Sequence, residues 1–275
     1  DLPVTPGSDR RWSSLLAVFG AGDENGSIDV GDERDVIHAL VSDAARSGSV
    51  RRAVGAARDN LRTSRELLPR EAWRVVNDLW RSVEETIDRA DDRRFRRRIL
   101  QQVIDESRRL DGVLTSSMRR DDAFEMWRMG RYLERADMTT RVVGVRAAGL
   151  MDAGVVAYDE VHWMGVLRSL SALQMYQRSA NGPIDASRVV RFLLFDVTFP
   201  RSVRYCLAEL AASLDLLADP DEVRVTLRSA TDDLEATSAN AADGVDLDAA
   251  MDHVQRSLAS LGASIASRYL TVPGA

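Results

Sequence analysis

Apolar residues recur at three- and four-residue spacing along nearly all of this 275-residue chain, which is the pattern of amphipathic helices. No segment shows the two-residue alternation that is typical of a half-buried strand. Seven Pro and 17 Gly interrupt the pattern, several of them in short clusters. The sequence therefore predicts an all-α protein, a helical bundle. Helices are expected at residues 11–19, 32–43, 49–68, 70–88, 92–118, 121–150, 158–179, 185–195, 200–218, 220–239 and 246–269.

The chain also contains an internal repeat. The segment Val36–Ala57 aligns without gaps to the segment Val189–Leu210, and Trp12–Leu16 aligns to Trp163–Leu167 at a similar offset. Six aligned pairs of the longer match are identical: Val36/Val189, Leu40/Leu193, Asp43/Asp196, Ser49/Ser202, Val50/Val203 and Arg51/Arg204. Two matches in the same order predict one internally duplicated domain over 1–275, with repeat 1 over about 1–120 and repeat 2 over about 121–275.

The duplication predicts a missing element. The segment 124–147 should have a counterpart earlier in the chain at the offset of the aligned pairs, and that place lies before residue 1. The first repeat is therefore expected to lack its opening helix.

The segment 124–147 carries most of the candidate chemistry. Its apolar residues form two opposite helix faces: Met126, Met129, Leu133, Ala136, Thr140, Val143 and Ala147 on one, and Trp127, Met138, Val142 and Val145 on the other. One stripe is expected to face solvent: Arg128, Tyr132, Arg135, Thr139 and Arg146. We expect the helix to run through the middle of the bundle, with Arg131, Glu134, Asp137 and Arg141 partly buried.

Partly buried charges need partners, because desolvation costs several kcal/mol per ion. Three interpretations stay open for Glu134 and its neighbours. They form an internal ion-pair network that fixes the packing, they line a polar pocket for an anionic or amide-containing ligand, or they lie on the surface after all.

Asp43 and Asp196 stand at equivalent positions of the repeat, each shortly before a helix. An acid at such a position can cap free N–H groups and complement the helix dipole. The alternative is that Asp196, with Arg201 and Arg204, faces the Glu134 helix across a pseudo-twofold axis.

The segment Gly130–Arg141, GRYLERADMTTR, resembles the signature of the alpha-E domain family, which is named for its Glu-Arg motif. Further similar stretches are Ala57–Trp73, the helix around Trp163, and Phe192–Leu207, so the resemblance covers nearly the whole chain. It implies an all-helical domain of poorly defined activity. Members of this family usually begin with another Gly-Arg-Tyr-x-Glu-Arg helix, which this sequence lacks, in agreement with the predicted missing element.

The resemblance also implies a partner. Alpha-E domains are often encoded beside, or fused to, a circularly permuted ATP-grasp protein, with transglutaminase-like proteins nearby. That context implies a system that forms and cuts amide bonds on peptides, in which the ATP chemistry belongs to the partner.

Composition excludes several other chemistries. All 37 basic residues are Arg, so a Walker-loop lysine, a Schiff-base lysine and a Ser-x-x-Lys site are absent. Cys206 is the single Cys, which excludes a disulfide within the chain and a Cys-based zinc site. The three His residues have no second ligand at helical spacing, so we expect neither a metal nor a cofactor.

The net charge of −6 argues against nucleic-acid binding, and no apolar run is long enough to span a membrane. With one Cys and no export signal, the chain is expected in the cytoplasm.

The leading functional hypothesis is a non-catalytic helical partner of an ATP-grasp amide ligase, with a charged cluster that organises an interface or a pocket for a peptide or an anionic molecule. The candidate residues are Arg131, Glu134, Arg135, Asp137, Arg141, Asp196, Arg201 and Arg204. One alternative is an enzyme in which Glu134 acts as acid or base and Arg131, Arg141 and Arg204 hold an anionic substrate. The other is a structural scaffold whose charges only set the fold.

Overall fold

The computed structural model describes residues 12, 15–19, 28, 32–153, 159–179, 182–241 and 247–270. These residues form α-helices joined by short turns, and no strand occurs among them, which confirms the predicted all-α class. Residues 20–27, between the segments predicted as helices at 11–19 and 32–43, lie outside the described residues. By contacts the chain divides into two compact units, which we name the N-terminal unit (Pro6–Phe124) and the C-terminal unit (Glu125–Ala275 with Asp1–Thr5).

The N-terminal unit is built from four described α-helices in sequence. They are α1 (Glu33–Ile37), continued by a π-helical turn (His38–Ser42), then α2 (Val50–Thr63), α3 (Arg70–Thr86), continued by a 3₁₀ turn (Ile87–Arg89), and α4 (Arg93–Ser117). Asp32, Ser49 and Asp92 begin α1, α2 and α4 by accepting a backbone N–H of the first turn.

The core of the N-terminal unit is aliphatic. α2 packs against α3, and α3 against α4. Its buried residues include Val36, Ile37, Leu40, Val41, Val54, Leu79, Val83, Ile87 and Ile99. Trp80 is only partly buried at the edge of this core.

The C-terminal unit is formed by a long helix and a series of shorter ones. The helices are α5 (Asp122–Ala153), whose first turn includes the unit boundary, α6 (Asp159–Ser169), α7 (Leu173–Ser179), α8 (Ala186–Phe195), α9 (Val203–Leu214), α10 (Asp221–Ala241) and α11 (Leu247–Ile265), which a π-helical turn (Ala266–Leu270) continues. The core is rich in aromatic residues, and Trp163, Tyr176 and Phe192 are buried in it.

The single helix predicted at 158–179 is wrong, because the chain turns between α6 and α7. The N–H of Ala172 donates to the carbonyl of Leu167 at 2.7 Å, and the N–H of Ser171 donates to that of Arg168 at 3.0 Å. Ser171 has a φ of 54°. These two hydrogen bonds, with a residue in the left-handed conformation, form a Schellman motif. Glycine usually occupies the left-handed position, so the serine at this position gave no sign of a helix end in the sequence.

The two units share the turn that the repeat predicts. Val50 and Val203, which the alignment pairs, are the first residues of α2 and α9, and Glu33 and Ala186, at the same offset, begin α1 and α8. In each unit a serine, Ser49 or Ser202, caps the following helix and donates its hydroxyl to the carbonyl of the preceding aspartate, Asp43 or Asp196. The common turn supports the duplication, which stays a prediction.

The interpretation of Asp43 and Asp196 as helix caps is wrong in detail. Asp43 accepts the N–H of Ala45 at 2.8 Å, and Asp196 accepts those of Thr198 and Phe199 at 2.8 Å each. The carboxylates therefore hold the turn, and the serines cap the helices.

Candidate functional site on the charged helix

Helix α5 is rotated relative to the prediction from its sequence. Tyr132 and Thr139, placed in the solvent stripe, are 8% and 1% exposed. Glu134, expected to be partly buried, is exposed, whereas Arg131, Asp137 and Arg141 are partly buried as predicted. The spacing of the apolar residues predicted two apolar faces on α5. It did not show which of the two polar stripes between those faces packs against the rest of the unit.

The stripe that packs inward carries a buried ion-pair network. Arg128 donates to Glu125 at 3.1 Å and to Glu209 of α9 at 2.7 Å. The Glu125 side chain is 6% exposed, and those of Arg128 and Glu209 are 21% and 25% exposed. Burial by itself lowers the pKa of Arg128, but the hydrogen bond and charge of Glu209, helped by Glu125, outweigh burial and raise it.

Two buried groups next to this network stay protonated at neutral pH. Tyr132 lies with its ring centroid 6.0 Å from that of Tyr205, and burial with the charge of Glu209 raises the pKa of Tyr132 to about 12. Burial raises the pKa of the Cys206 thiol to about 12 against the opposing charges of Arg135 and Arg201. A neutral thiol is a poor nucleophile, so the buried environment of Cys206 does not activate it. We name Glu125, Arg128, Tyr132, Tyr205, Cys206 and Glu209 the inner cluster.

Arg131 and Arg135 flank the inner cluster. The guanidinium carbon of Arg131 lies 5.4 Å from the ring centroid of Trp127 and 5.5 Å from the ring centroid of Tyr132. The guanidinium carbon of Arg135 lies 5.7 Å from the ring centroid of Tyr132. Both arginines are half-buried. They therefore combine stacking on aromatic rings with electrostatic influence on the Cys206 thiol.

The turn before α9 contacts the charged helix through its backbone. The Thr139 hydroxyl of α5 donates to the carbonyl of Arg201 at 2.9 Å. Arg204, in contrast, donates to Glu235 of α10 at 3.2 Å, and both side chains are about half exposed. The structure thus brings the backbone of Arg201 to α5 and pairs Arg204 with a different helix.

The opposite side of α5 carries a second row of residues, three of them charged, which we name the outer row: Gly130, Glu134, Asp137 and Arg141. Arg141 donates to Asp137 at 2.7 Å, one helical turn away. Gly130 is exposed, and no atom would lie within 4 Å of a Cβ added there. Although Glu134 is exposed as a residue, partial desolvation of its carboxylate and the charge of Asp137 raise its pKa, against the effect of Arg141.

Sequence reasoning missed Glu125, Arg128, Tyr205 and Glu209. A signal for them exists in the spacing. Glu125, Arg128 and Tyr132 lie three and four residues apart on α5, and Tyr205 and Glu209 lie four apart on α9. Two such rows on neighbouring helices can form hydrogen bonds and ion pairs with each other. Predicting those pairs requires knowing that α5 and α9 pack together, which the sequence alone does not show.

The described cavities lie elsewhere. One of about 290 Å³ lies at the α2–α3 turn, and another of about 330 Å³ is lined by residues of α1, its π-helical turn and the 3₁₀ turn, including Arg34, His38 and Asp88. Neither is lined by a residue of α5. Within the described part of the chain, no group of three or more His, Cys, Asp or Glu side chains is placed to hold a metal ion, and no helix is both long and apolar enough to cross a membrane.

Fold and site define a class of protein: an all-helical domain whose charged helix carries a partly buried ion-pair network on one side and exposes the glutamate of its Glu-Arg motif on the other. Comparison with known families agrees. The model of the Alpha-E family, described as a predicted alpha-helical domain with a conserved ER motif, matches residues 2–270. The chain therefore belongs to the Alpha-E family. Comparisons with curated proteins and with solved structures gave no significant match.

Proposed function

We propose that this chain is a non-catalytic helical partner of an ATP-grasp amide ligase that acts on peptides, and that the outer row of α5 forms part of the interface. Membership in the Alpha-E family supports the partner, because domains of this family are often encoded beside or fused to circularly permuted ATP-grasp proteins. The ATP-dependent step belongs to the ligase, and this chain contributes a docking surface.

The exposed Glu134 is the observation that carries the proposal. Its carboxylate stands beside the Asp137–Arg141 ion pair, which holds both of those side chains in place before a partner arrives. Two half-buried apolar side chains, Trp127 and Met138, lie seven residues before and four residues after Glu134, on the same side of the helix. Apolar and aromatic contacts rimmed by charge are the composition of protein–protein interfaces.

The alternative hypothesis, that this chain is itself an enzyme, has less support. Two arginines of the enzyme hypothesis already bind carboxylates, Arg141 that of Asp137 and Arg204 that of Glu235. Part of the hydrogen-bonding capacity of Arg141 and Arg204 is therefore already used within the chain. One observation favours the scaffold hypothesis: the charged side chains of the inner cluster are at least partly buried and form ion pairs with one another. We therefore assign a structural role to the inner cluster and a binding role to the outer row.

The test is to titrate the chain with the circularly permuted ATP-grasp protein of the same organism by calorimetry, while circular dichroism monitors folding. Glu134→Arg reverses the charge of the outer row, and Glu222→Arg does the same at an exposed residue of α10. We expect the first variant to weaken binding about tenfold or more and the second less than about twofold, because a like-charge contact opposes association.

Folded Glu134→Arg protein that binds as tightly as the unaltered chain would contradict the assignment of the interface. Absence of binding by the unaltered chain would contradict the partner. Amide formation by this chain alone, lost in Glu134→Gln, would favour the enzyme hypothesis instead.

A further inference from the structure

The cavity of about 290 Å³ at the α2–α3 turn has a lining of unusual charge. Its lining combines three arginines with an apolar wall: Arg65, Arg70, Arg74, Trp73, Leu61 and Leu68. No acidic side chain lines it, although the exposed Glu66 and Glu71 are sequence neighbours. The volume is close to that of the smallest ligand pockets of proteins.

The three arginines have no carboxylate partner among the described residues. Arg51 of the same unit, in contrast, is paired with Glu84 at 2.6 Å. Arg65 instead lies over the ring of Trp73, with its guanidinium carbon 3.9 Å from the centroid. Stacking on an indole fixes the guanidinium plane and leaves its N–H edge able to bind an anion.

The start of α3 adds to the positive potential. Pro69 precedes this 17-residue helix and supplies no side-chain cap to its first turn. The helix dipole therefore places partial positive charge at Arg70, beside the arginine side chains. With the cavity and the unpaired arginines, this makes an anion-binding environment next to an apolar wall.

The corresponding turn of the C-terminal unit carries the opposite charge and already has basic and aromatic partners within the chain. Between α9 and α10, Asp219 accepts from Arg268 at 2.6 Å, and Tyr269 donates to the carbonyl of Ala218 at 3.2 Å. There an acidic turn is paired with a basic residue of the same chain. The basic α2–α3 turn has no such ion pair among the described residues, so its complement should be acidic.

We propose that the α2–α3 cavity binds a carboxylate carried next to an aliphatic side chain, as at the C-terminus of a peptide that ends in Leu. The arginines bind the carboxylate, and Leu61, Leu68 and Trp73 bury the side chain. The proposal goes beyond the partner function, and its test uses the full chain without the ATP-grasp protein, so either can fail alone.

The experiment is calorimetric titration with three peptides: acetyl-Ala-Ala-Leu as the free acid, the same peptide as its C-terminal amide, and acetyl-Ala-Asp-Leu-amide. We expect the free acid to bind about tenfold or more tightly than its amide, because charge-assisted Arg–carboxylate bonds are lost in the amide. Binding of the free acid should also weaken at high salt. Comparable binding of the Asp peptide would support the carboxylate site and assign the carboxylate to an acidic side chain.

The double variant Arg65→Gln/Arg74→Gln should weaken binding of the free acid about tenfold or more. Arg52→Gln/Arg81→Gln is the matched control, because both residues are exposed on α2 and α3, do not line the cavity and change the net charge equally. Its affinity should stay within about twofold, and circular dichroism should show both variants folded. Absence of binding, equal affinity for all three peptides, or equal affinity of the two double variants would overturn the proposal.

Discussion

The two units build the same turn on different cores. In both, an aspartate carboxylate holds the turn and a buried serine caps the next helix. In the C-terminal unit the aromatic rings of Phe192 and Phe199 stack beside that turn with centroids 4.7 Å apart. The residues aligned with them in the N-terminal unit are Ala39 and Arg46, which cannot form such a stack.

This difference shows what fixes the turn. Because the turn persists while the adjoining core changes from aromatic to aliphatic, its geometry depends on the local hydrogen bonds of Asp and Ser. The helices that precede the two turns end differently. The N–H of Asp43 donates to His38, five residues back, whereas that of Asp196 donates to Phe192, four residues back.

The units also differ in how they bury charge. The C-terminal unit contains the inner cluster, where Arg128 bridges two carboxylates. In the N-terminal unit the ion pair of Arg51 and Glu84 is more exposed, with side chains 28% and 30% accessible.

The largest expected effect comes from breaking the inner cluster. Arg128→Ala leaves Glu125 buried and unpaired, so we expect the free energy of unfolding to fall by about 3–5 kcal/mol. Hydrogen exchange should show that the protection lost is in α5 and α9 and not in α2 and α3. Arg204→Ala, which breaks an exposed pair, is the control. A loss below about 1 kcal/mol for Arg128→Ala would show that the network contributes little.

The shared turn gives the second prediction. Ser49→Ala and Ser202→Ala each remove a helix cap and a hydrogen bond to an aspartate carbonyl, and each should cost about 1–2 kcal/mol in urea unfolding. Ser229→Ala, at an exposed position of α10, should change stability by less than about 0.5 kcal/mol. If the losses in the free energy of unfolding differ by more than about 1 kcal/mol between the two variants, the two turns are not energetically equivalent.

The smallest expected effect is the difference in stability between substitutions of Arg51 and Arg204, which the repeat alignment pairs. Arg51 binds Glu84 through two hydrogen bonds, at 2.9 and 2.6 Å, whereas Arg204 makes one bond of 3.2 Å to Glu235. Arg51→Ala should therefore lower the free energy of unfolding by about 1 kcal/mol, and Arg204→Ala by about 0.3 kcal/mol. Equal losses would mean that exposure and geometry do not distinguish the two pairs.

Much of the fold could be predicted from the sequence, since helical spacing and caps are local properties. The predicted segments 70–88, 92–118 and 185–195 agree closely with α3, α4 and α8. The Ser171 turn was missed because its left-handed residue is not a glycine. The Glu-Arg motif also pointed to the correct family.

The candidate site was less predictable. The sequence alone determined the helices, the repeated turn and the Lys-free set of arginines. The tertiary structure decided that Arg128 and Tyr132 of α5 turn inward and that Glu134 turns out. The physical reason is that α5 has apolar residues on two faces, so its periodicity allows more than one orientation. Glu209 and Tyr205 of α9 supply the polar partners that select one of them.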